Sequence, residues 1–178
     1  MIQTWKNIIL DLQQPISYLI PAITVALLIL IVYMVWKRKI ISVSSVLLIV
    51  YGQVLLQTAF FSREPGSRGG VDLKLFSTWG YTAISHAFFI ENVMMFIPFG
   101  VLMPVVFKKM QKMPVCVCAS FLCTCGIECS QFIMQRGFCQ LDDVVTNTFG
   151  ALAGWFIWKC GTIYSEAKFP KQKSKKLL

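Results

Sequence analysis

The sequence predicts an all-α integral membrane protein with about five transmembrane helices, and three observations carry that prediction. Apolar residues make up 56% of the 178 residues and charged residues only 14%, against roughly 45–50% and about 25% in ordinary soluble domains. The apolar residues gather into runs of about 20, the length a helix needs to cross roughly 30 Å of hydrocarbon. The net charge of +9 sits mainly between those runs and in the tail, as a topology signal would.

The first run, Ile16 to Trp36, follows Lys6 and Asp11 and leads into Lys37-Arg38-Lys39 instead of a small-residue cleavage site. It is expected to be retained as a span and not removed as a signal peptide. Upstream, Ile2, Trp5, Ile9, Leu12 and Ile16 recur at helical spacing, as in a short helix lying in the headgroup layer; a frayed terminus is the other reading. The second run is Ile41 to Phe61. A loop from Ser62 to His86 carries Pro65, Gly66, Gly69 and Gly70, then the apolar stretch Leu73 to Tyr81 with Trp79, and is expected to dip back toward the membrane as a lid. The third run, Ala87 to Phe107, holds Pro98, Gly100 and Pro104, which predict a kinked or broken helix with freed carbonyls. The fourth is Pro114 to Met134 and the fifth Val144 to Tyr164. A basic tail, 165–178, completes a single transmembrane domain over 1–178.

Twelve Lys and Arg fall on one side of these spans (positions 37–39, 108, 109, 112 and from 159 onward) and five (Lys6, Arg63, Arg68, Lys74, Arg136) on the other. That asymmetry places the N-terminus outside and the C-terminus in the cytoplasm, with the tail on anionic lipid. It removes the nucleic-acid reading of the positive charge. A single histidine, His86, excludes a multi-histidine metal site within one chain, and neither G-x-x-x-x-G-K-[ST] nor G-x-G-x-x-G occurs. No metal or cofactor is expected. His86 is read as a solvated residue at the mouth of the third helix.

With that orientation the intramembrane polar residues Gln53, Gln57, Glu91, Asn92, Glu128, Gln131 and Asn147 all fall in the outer half. Ionisable groups at such depth cost on the order of 2.5–3.5 kcal/mol each and usually face a partner or a wet cavity. Ser120, Thr124, Glu128, Gln131 and Gln135 share one face of the fourth helix. Asp143, Asn147, Gly150, Gly154 and Gly161 share one face of the fifth, and the two faces are expected to meet. Gln53, Gln57, Ser120, Thr124 and Gln135 read as interhelical glue, and Gly150 with Gly154 as packing residues. The candidate ligand-binding set is Arg68, Glu91, Asn92, Glu128, Gln131, Arg136, Asp142, Asp143 and Asn147; Glu128 and Asp143 are the candidates for any catalytic carboxylate. Cys116, Cys118, Cys123, Cys125 and Cys129 lie along the fourth helix and read as small packing residues. Cys129 and Cys139 are either free thiols or a disulfide.

Three segments also form a recognisable set: Asn92-Val-Met-Met-Phe-Ile-Pro-Phe-Gly100, Glu128-Cys-Ser-Gln131, and Arg136 followed by Asp142-Asp143-Val-Val-Thr-Asn147-Thr-Phe-Gly150. The stretch from roughly Arg68 to Trp158 resembles the VanZ-like family of bacterial membrane proteins. Asn92, Pro98 and Gly100 match N-x-x-x-F-x-P-x-G, Glu128 and Gln131 match E-x-x-Q, and Asp143, Asn147 and Gly150 match D-x-x-x-N-x-x-G. Two positions depart: Gln140 stands where many relatives have an acid, and Asp72-Leu73-Lys74-Leu75-Phe76 where the pattern is N-L-x-P-F. The resemblance implies a multi-pass protein of the bacterial cell membrane that lowers susceptibility to a lipid-tailed glycopeptide such as teicoplanin, or handles a related lipid-linked envelope molecule. The partners it implies are membrane lipid and either an amphiphilic glycopeptide antibiotic or a lipid-linked cell-wall precursor, bound without covalent chemistry. A hydrolase or transferase using a carboxylate base, and a purely structural network, are the alternatives.

Overall fold

The structure, a computed structural model, describes residues 2–37, 42–66, 68–77, 79–80 and 82–168. Those residues form a mostly helical fold: α1 (Ile2–Asp11), α2 (Gln13–Ser17), α3 (Leu19–Lys37), α4 (Val43–Leu56), α5 (Ala83–Val106), α6 (Met113–Ile133) and α7 (Leu141–Lys168). Four helical stretches are long and apolar enough to cross a membrane: Ile2–Tyr33, Val43–Phe61, Ala83–Val106 and Met113–Ile133.

The first stretch is longer than the predicted span because helix runs on from Ile2. It breaks only at Leu12 and Tyr18, each three residues before a proline (Pro15, Pro21), which has no N–H to give the helical ladder. The stripe expected to lie on headgroups, Ile2, Trp5, Ile9 and Ile16, is exposed, whereas Thr4 and Ile8 are buried, with α1 packed on α5. Ala22 and Ala26, one turn apart on α3, are fully covered, the small-residue spacing that lets α4 approach closely.

Helix α4 ends in a π-helical turn, Gln57–Phe61, closed by Ser62 N–H donating to the Gln57 carbonyl at 2.8 Å. The prolines do not break α5, which runs unbroken through Pro98 and Pro104, contrary to the broken-helix alternative. Tyr51 donates its hydroxyl to the Met95 carbonyl at 3.0 Å, next to the Met94 carbonyl that Pro98 leaves without a donor. The apolar core gathers Leu55, Phe96, Phe99, Cys116 and Ala151, from α4 to α7.

An all-α fold needs one correction. Two strands, β1 (Arg68–Asp72) and β2 (Arg136–Gln140), pair in parallel, Arg68 against Arg136 through Asp72 against Gln140. Parallel strands need a long crossover, here supplied by α5 and α6. Because β2 runs straight into α7 and β1 follows the end of α4, this ribbon collects one end of α4, α5, α6 and α7.

The polar faces of α6 and α7 meet as expected, Asn147 bonding Thr124, but the glycines that share the α7 face have a different partner. The glycine seam of α7 faces α5: a Cβ on Gly150 would strike the Val93 carbonyl, one on Gly154 the Ile97 carbonyl, and one on Gly100 the Ala151 carbonyl, while Gly161 meets nothing within 4 Å. Small residues here bring two backbones together, and α5 with α7 is the most extensive helix pair. Gln135 falls off the α6 face because the helix ends at Ile133; it is exposed, with φ 51°.

Gly150→Ala should therefore lower the thermal midpoint of the purified protein, by the equivalent of about 1–3 kcal/mol expected for overpacking. Gly126→Ala, where a Cβ meets nothing within 4 Å, should leave the midpoint unchanged or raise it, as helix propensity favours alanine. Equal midpoints for the two variants would contradict the close α5–α7 contact.

Candidate functional site

A cavity of about 1060 Å³ opens at the end of the bundle that carries the ribbon. Among the predicted site residues, Glu91, Asn92, Glu128, Gln131, Arg136, Asp143 and Asn147 line it. Glu128, Gln131 and Asn147 are 1–2% exposed, and each is placed by a contact with another element. Asn92 on α5 donates through Nδ2 to Asp143 Oδ1 at 2.7 Å, a contact that the α5–α7 seam makes possible. Asn147 donates through Nδ2 to Thr124 Oγ1 of α6 at 2.8 Å, so Thr124 is interhelical glue as its position suggests. Glu128 Oε2 accepts the Gln140 backbone N–H at 3.0 Å, which ties the end of β2 to α6.

The π-helical turn supplies further anchors. A helix C-terminus leaves carbonyls without partners, and two side chains take them. Gln131 donates through Nε2 to the Ala59 carbonyl at 2.7 Å. Arg136 donates through Nη1 to the Phe60 and Arg63 carbonyls at 3.3 and 2.6 Å, and its guanidinium lies 4.8 Å from the Phe60 ring centre. A cation at that position also suits the negative end of the helix dipole.

Asp142 lies beside the cavity instead of in its lining. Its Oδ1 accepts the backbone N–H of Phe76 at 2.6 Å, holding Phe76 at φ 61°, a conformation unfavourable for a bulky residue unless its surroundings impose it. Trp79 then stacks on His86 and meets the edge of Phe89, with ring centres 4.4 and 4.8 Å apart. The loop expected as a lid thus packs on the start of α5. Arg68 opens β1, and its side chain lies outside the described residues, as do Arg38, Lys39 and residues 169–178 of the basic tail.

Sequence reasoning missed Arg63 and Asp11. Arg63 donates through Nη1 to Gln131 Oε1 at 3.1 Å, reaching it because Gly137 has no Cβ to block the path; its charge also acts on Glu128 and Asp143. An arginine in an irregular segment after a span gives no periodic signal of that kind. Asp11, at the end of α1, and Glu91 on α5 line the same cavity, and the two carboxyls act on each other as like charges. All seven cysteines are free, which settles the open alternative for Cys129 and Cys139. Burial first, then the nearby Glu128 carboxylate, holds the Cys139 thiol above its ordinary range.

Among the residues lining the cavity three buried atoms have no hydrogen-bond partner: the acceptors Asn147 Oδ1 and Glu91 Oε1, and the Thr58 hydroxyl. A buried polar group without a partner costs about 1–3 kcal/mol, so such atoms in a cavity wall mark where a partner is wanted. Among the described residues no group of three His, Cys, Asp or Glu side chains is placed to hold a metal ion.

A bundle of apolar helices with a polar cavity at one end, walled by the segments that carried the resemblance, defines the class, and the VanZ/LLP1 family description matches residues 23–164. The chain belongs to that family. Over 65 residues, 36% of the chain, it is 40% identical to Protein VanZ of Enterococcus faecium, and the match spans 40% of that relative's length. No solved structure matches the chain.

The two departures from the family pattern meet in space. Asp72 and Gln140 are register partners in the ribbon, and both line the cavity. Neighbouring positions on parallel strands point side chains to the same face, so the acid and the amide that the resemblance implies at 140 and 72 stand here as neighbours with their strands exchanged. The Ser77 hydroxyl at 2.7 Å and the Lys74 backbone N–H at 3.0 Å serve the Asp72 carboxylate and hold its pKa below the usual range. Gln140→Asp alone should place two carboxylates side by side and lower the thermal midpoint of the purified protein. The double exchange Asp72→Asn with Gln140→Asp should recover most of that loss; a double variant as poor as the single one would refute the exchange.

Proposed function

We propose that this is a five-span protein of the bacterial cell membrane, N-terminus outside, whose polar cavity lies in the outer half of the bilayer. There it engages an amphiphile, a lipid-tailed glycopeptide such as teicoplanin or a lipid-linked envelope molecule, and lowers susceptibility to the antibiotic. Membership of the VanZ/LLP1 family and the match to Protein VanZ support the resistance role. The excess of Lys and Arg on the side away from the ribbon supports the orientation. For the fifth span the candidate is α7, 28 residues long and therefore about 42 Å at 1.5 Å per residue.

One observation carries the binding role: Asn92, Glu128, Gln131, Asp143 and Asn147, the residues that match the family motifs, wall one cavity, and within it Asn147 keeps a buried acceptor without a donor. A network serving only to hold helices together would gain from satisfying that atom. Binding needs no covalent step. The carboxylates and amides take the polar head, and the apolar lining contributed by Leu12, Pro15, Met94 and Pro98 takes part of the tail.

The test expresses the wild type, Glu128→Gln and Asp143→Asn in a susceptible Gram-positive host at matched membrane levels, and measures susceptibility to teicoplanin beside vancomycin, which lacks the lipid tail. Losing one charge-assisted hydrogen bond costs about 1.5–3 kcal/mol, roughly 10- to 100-fold in affinity, so the variants should lose most of the protection. Selective protection by the wild type is the expected result. Variants that accumulate normally and still protect would show the cluster to be structural.

A further inference from the structure

We propose that the cavity is selective for a protonated primary amine: it seats the ammonium head of an amphiphile among Glu128, Asp143 and Asn147, with the apolar chain leaving between α1–α2 and α5. This rests on the reading of the cavity as a ligand site and adds the chemistry of the head.

Charge separates the cavity from the rest of the chain. The protein carries 17 Lys and Arg against 8 Asp and Glu, yet six of those eight acids, Asp11, Glu64, Asp72, Glu91, Glu128 and Asp143, line this one cavity, with Arg63 and Arg136 the cations among its described lining residues. One nitrogen of each arginine is engaged within the protein, Arg63 Nη1 on Gln131 and Arg136 Nη1 on two backbone carbonyls. An anionic head would therefore meet an excess of carboxylate, a repulsion that low dielectric strengthens.

The unpartnered atoms narrow the head further. Asn147, 2% exposed, presents Oδ1, and Glu91 presents Oε1, each buried and without a hydrogen-bond donor. In this orientation Nδ2 donates to Thr124 and Oδ1 is left to accept. Glu128 and Asp143 each take one protein donor, from the Gln140 N–H and Asn92 Nδ2. Around this seat carboxylates outnumber cations and two acceptors stand open, with the hydroxyl of Thr58 the further unpartnered group of the cavity. A primary ammonium brings three N–H donors, no acceptor and one positive charge. A quaternary ammonium supplies the charge without a hydrogen, and an alcohol a hydrogen without the charge. The way out is apolar: Leu12, Pro15, Phe88 and Met94 line the cavity between α1–α2 and α5, and Phe88 and Met94 are exposed there.

The experiment measures binding of three probes with the same chain, dodecylamine, dodecyltrimethylammonium and 1-dodecanol, to the purified full-length protein in a non-ionic detergent, by calorimetry and by shift of the thermal midpoint. Dodecylamine should bind at least about tenfold more tightly than either other probe, the factor expected from one charge-assisted hydrogen bond. Glu128→Gln should remove that preference. Asn147→Asp, which adds a carboxylate at the open acceptor while Thr124 can donate to it, should keep or increase it, so the proposal does not hang on one variant's folding. Equal binding of the three probes, or a preference untouched in Glu128→Gln, overturns the assignment. The outcomes are separable from those of the resistance test: protection without amine preference discards the ammonium and leaves the function, whereas amine preference without protection discards the function and leaves the site.

Discussion

Polar groups taken out of water must find partners, and at the ribbon end of this bundle they find them on other elements. The carbonyls at the end of α4 are taken by Gln131 and Arg136, the last N–H of β2 by Glu128, and the Phe76 N–H by Asp142. Each contact joins segments far apart in sequence, so the helix ends are positioned by the same side chains that wall the cavity. All of it depends on how closely α5 and α7 approach. Gly100, Gly150 and Gly154 set that approach, and through it Asn92 reaches Asp143. A hydrogen bond to a buried carboxylate is worth about 1.5–3 kcal/mol, so site and scaffold are energetically one object.

Against that economy the unpartnered Asn147 Oδ1 and Glu91 Oε1 stand out. They sit where the chain's carboxylates are gathered, although its total charge is +9. Most positive residues lie away from the cavity, and most negative ones line it. Asp72 and Gln140, register partners in the ribbon, line the same cavity.

The helices were legible because apolar runs of about 20 residues have few alternatives, and the buried face Ser120, Thr124, Glu128 and Gln131 followed from helical spacing. Most of the cavity wall was legible too, since carboxylates and amides within apolar runs are costly enough to need a reason. The strands were not: Arg68–Asp72 and Arg136–Gln140 are five residues each, rich in glycine, and pair across α5 and α6, so no local pattern announces them. The partner of the α7 glycines was misread for a related cause. Spacing shows that a helix has a small-residue face but not which neighbour fills it, and only the complementary Gly100 on α5 decides. Arg63 and Asp11 were missed because their roles arise from long-range approach, through Gly137 in one case and the packing of α1 on α5 in the other.

The central claim is that the cavity faces the outside of the cell, where an antibiotic or a wall precursor arrives. The most direct test is thiol labelling with a membrane-impermeant maleimide on a background in which all seven cysteines are replaced by alanine. One cysteine is introduced either at Glu64, exposed and on the cavity wall, or at Lys109, exposed in the turn between α5 and α6. The account predicts that Glu64→Cys is labelled in intact cells and Lys109→Cys only after lysis. The reverse pattern would put the cavity on the cytoplasmic side and contradict it.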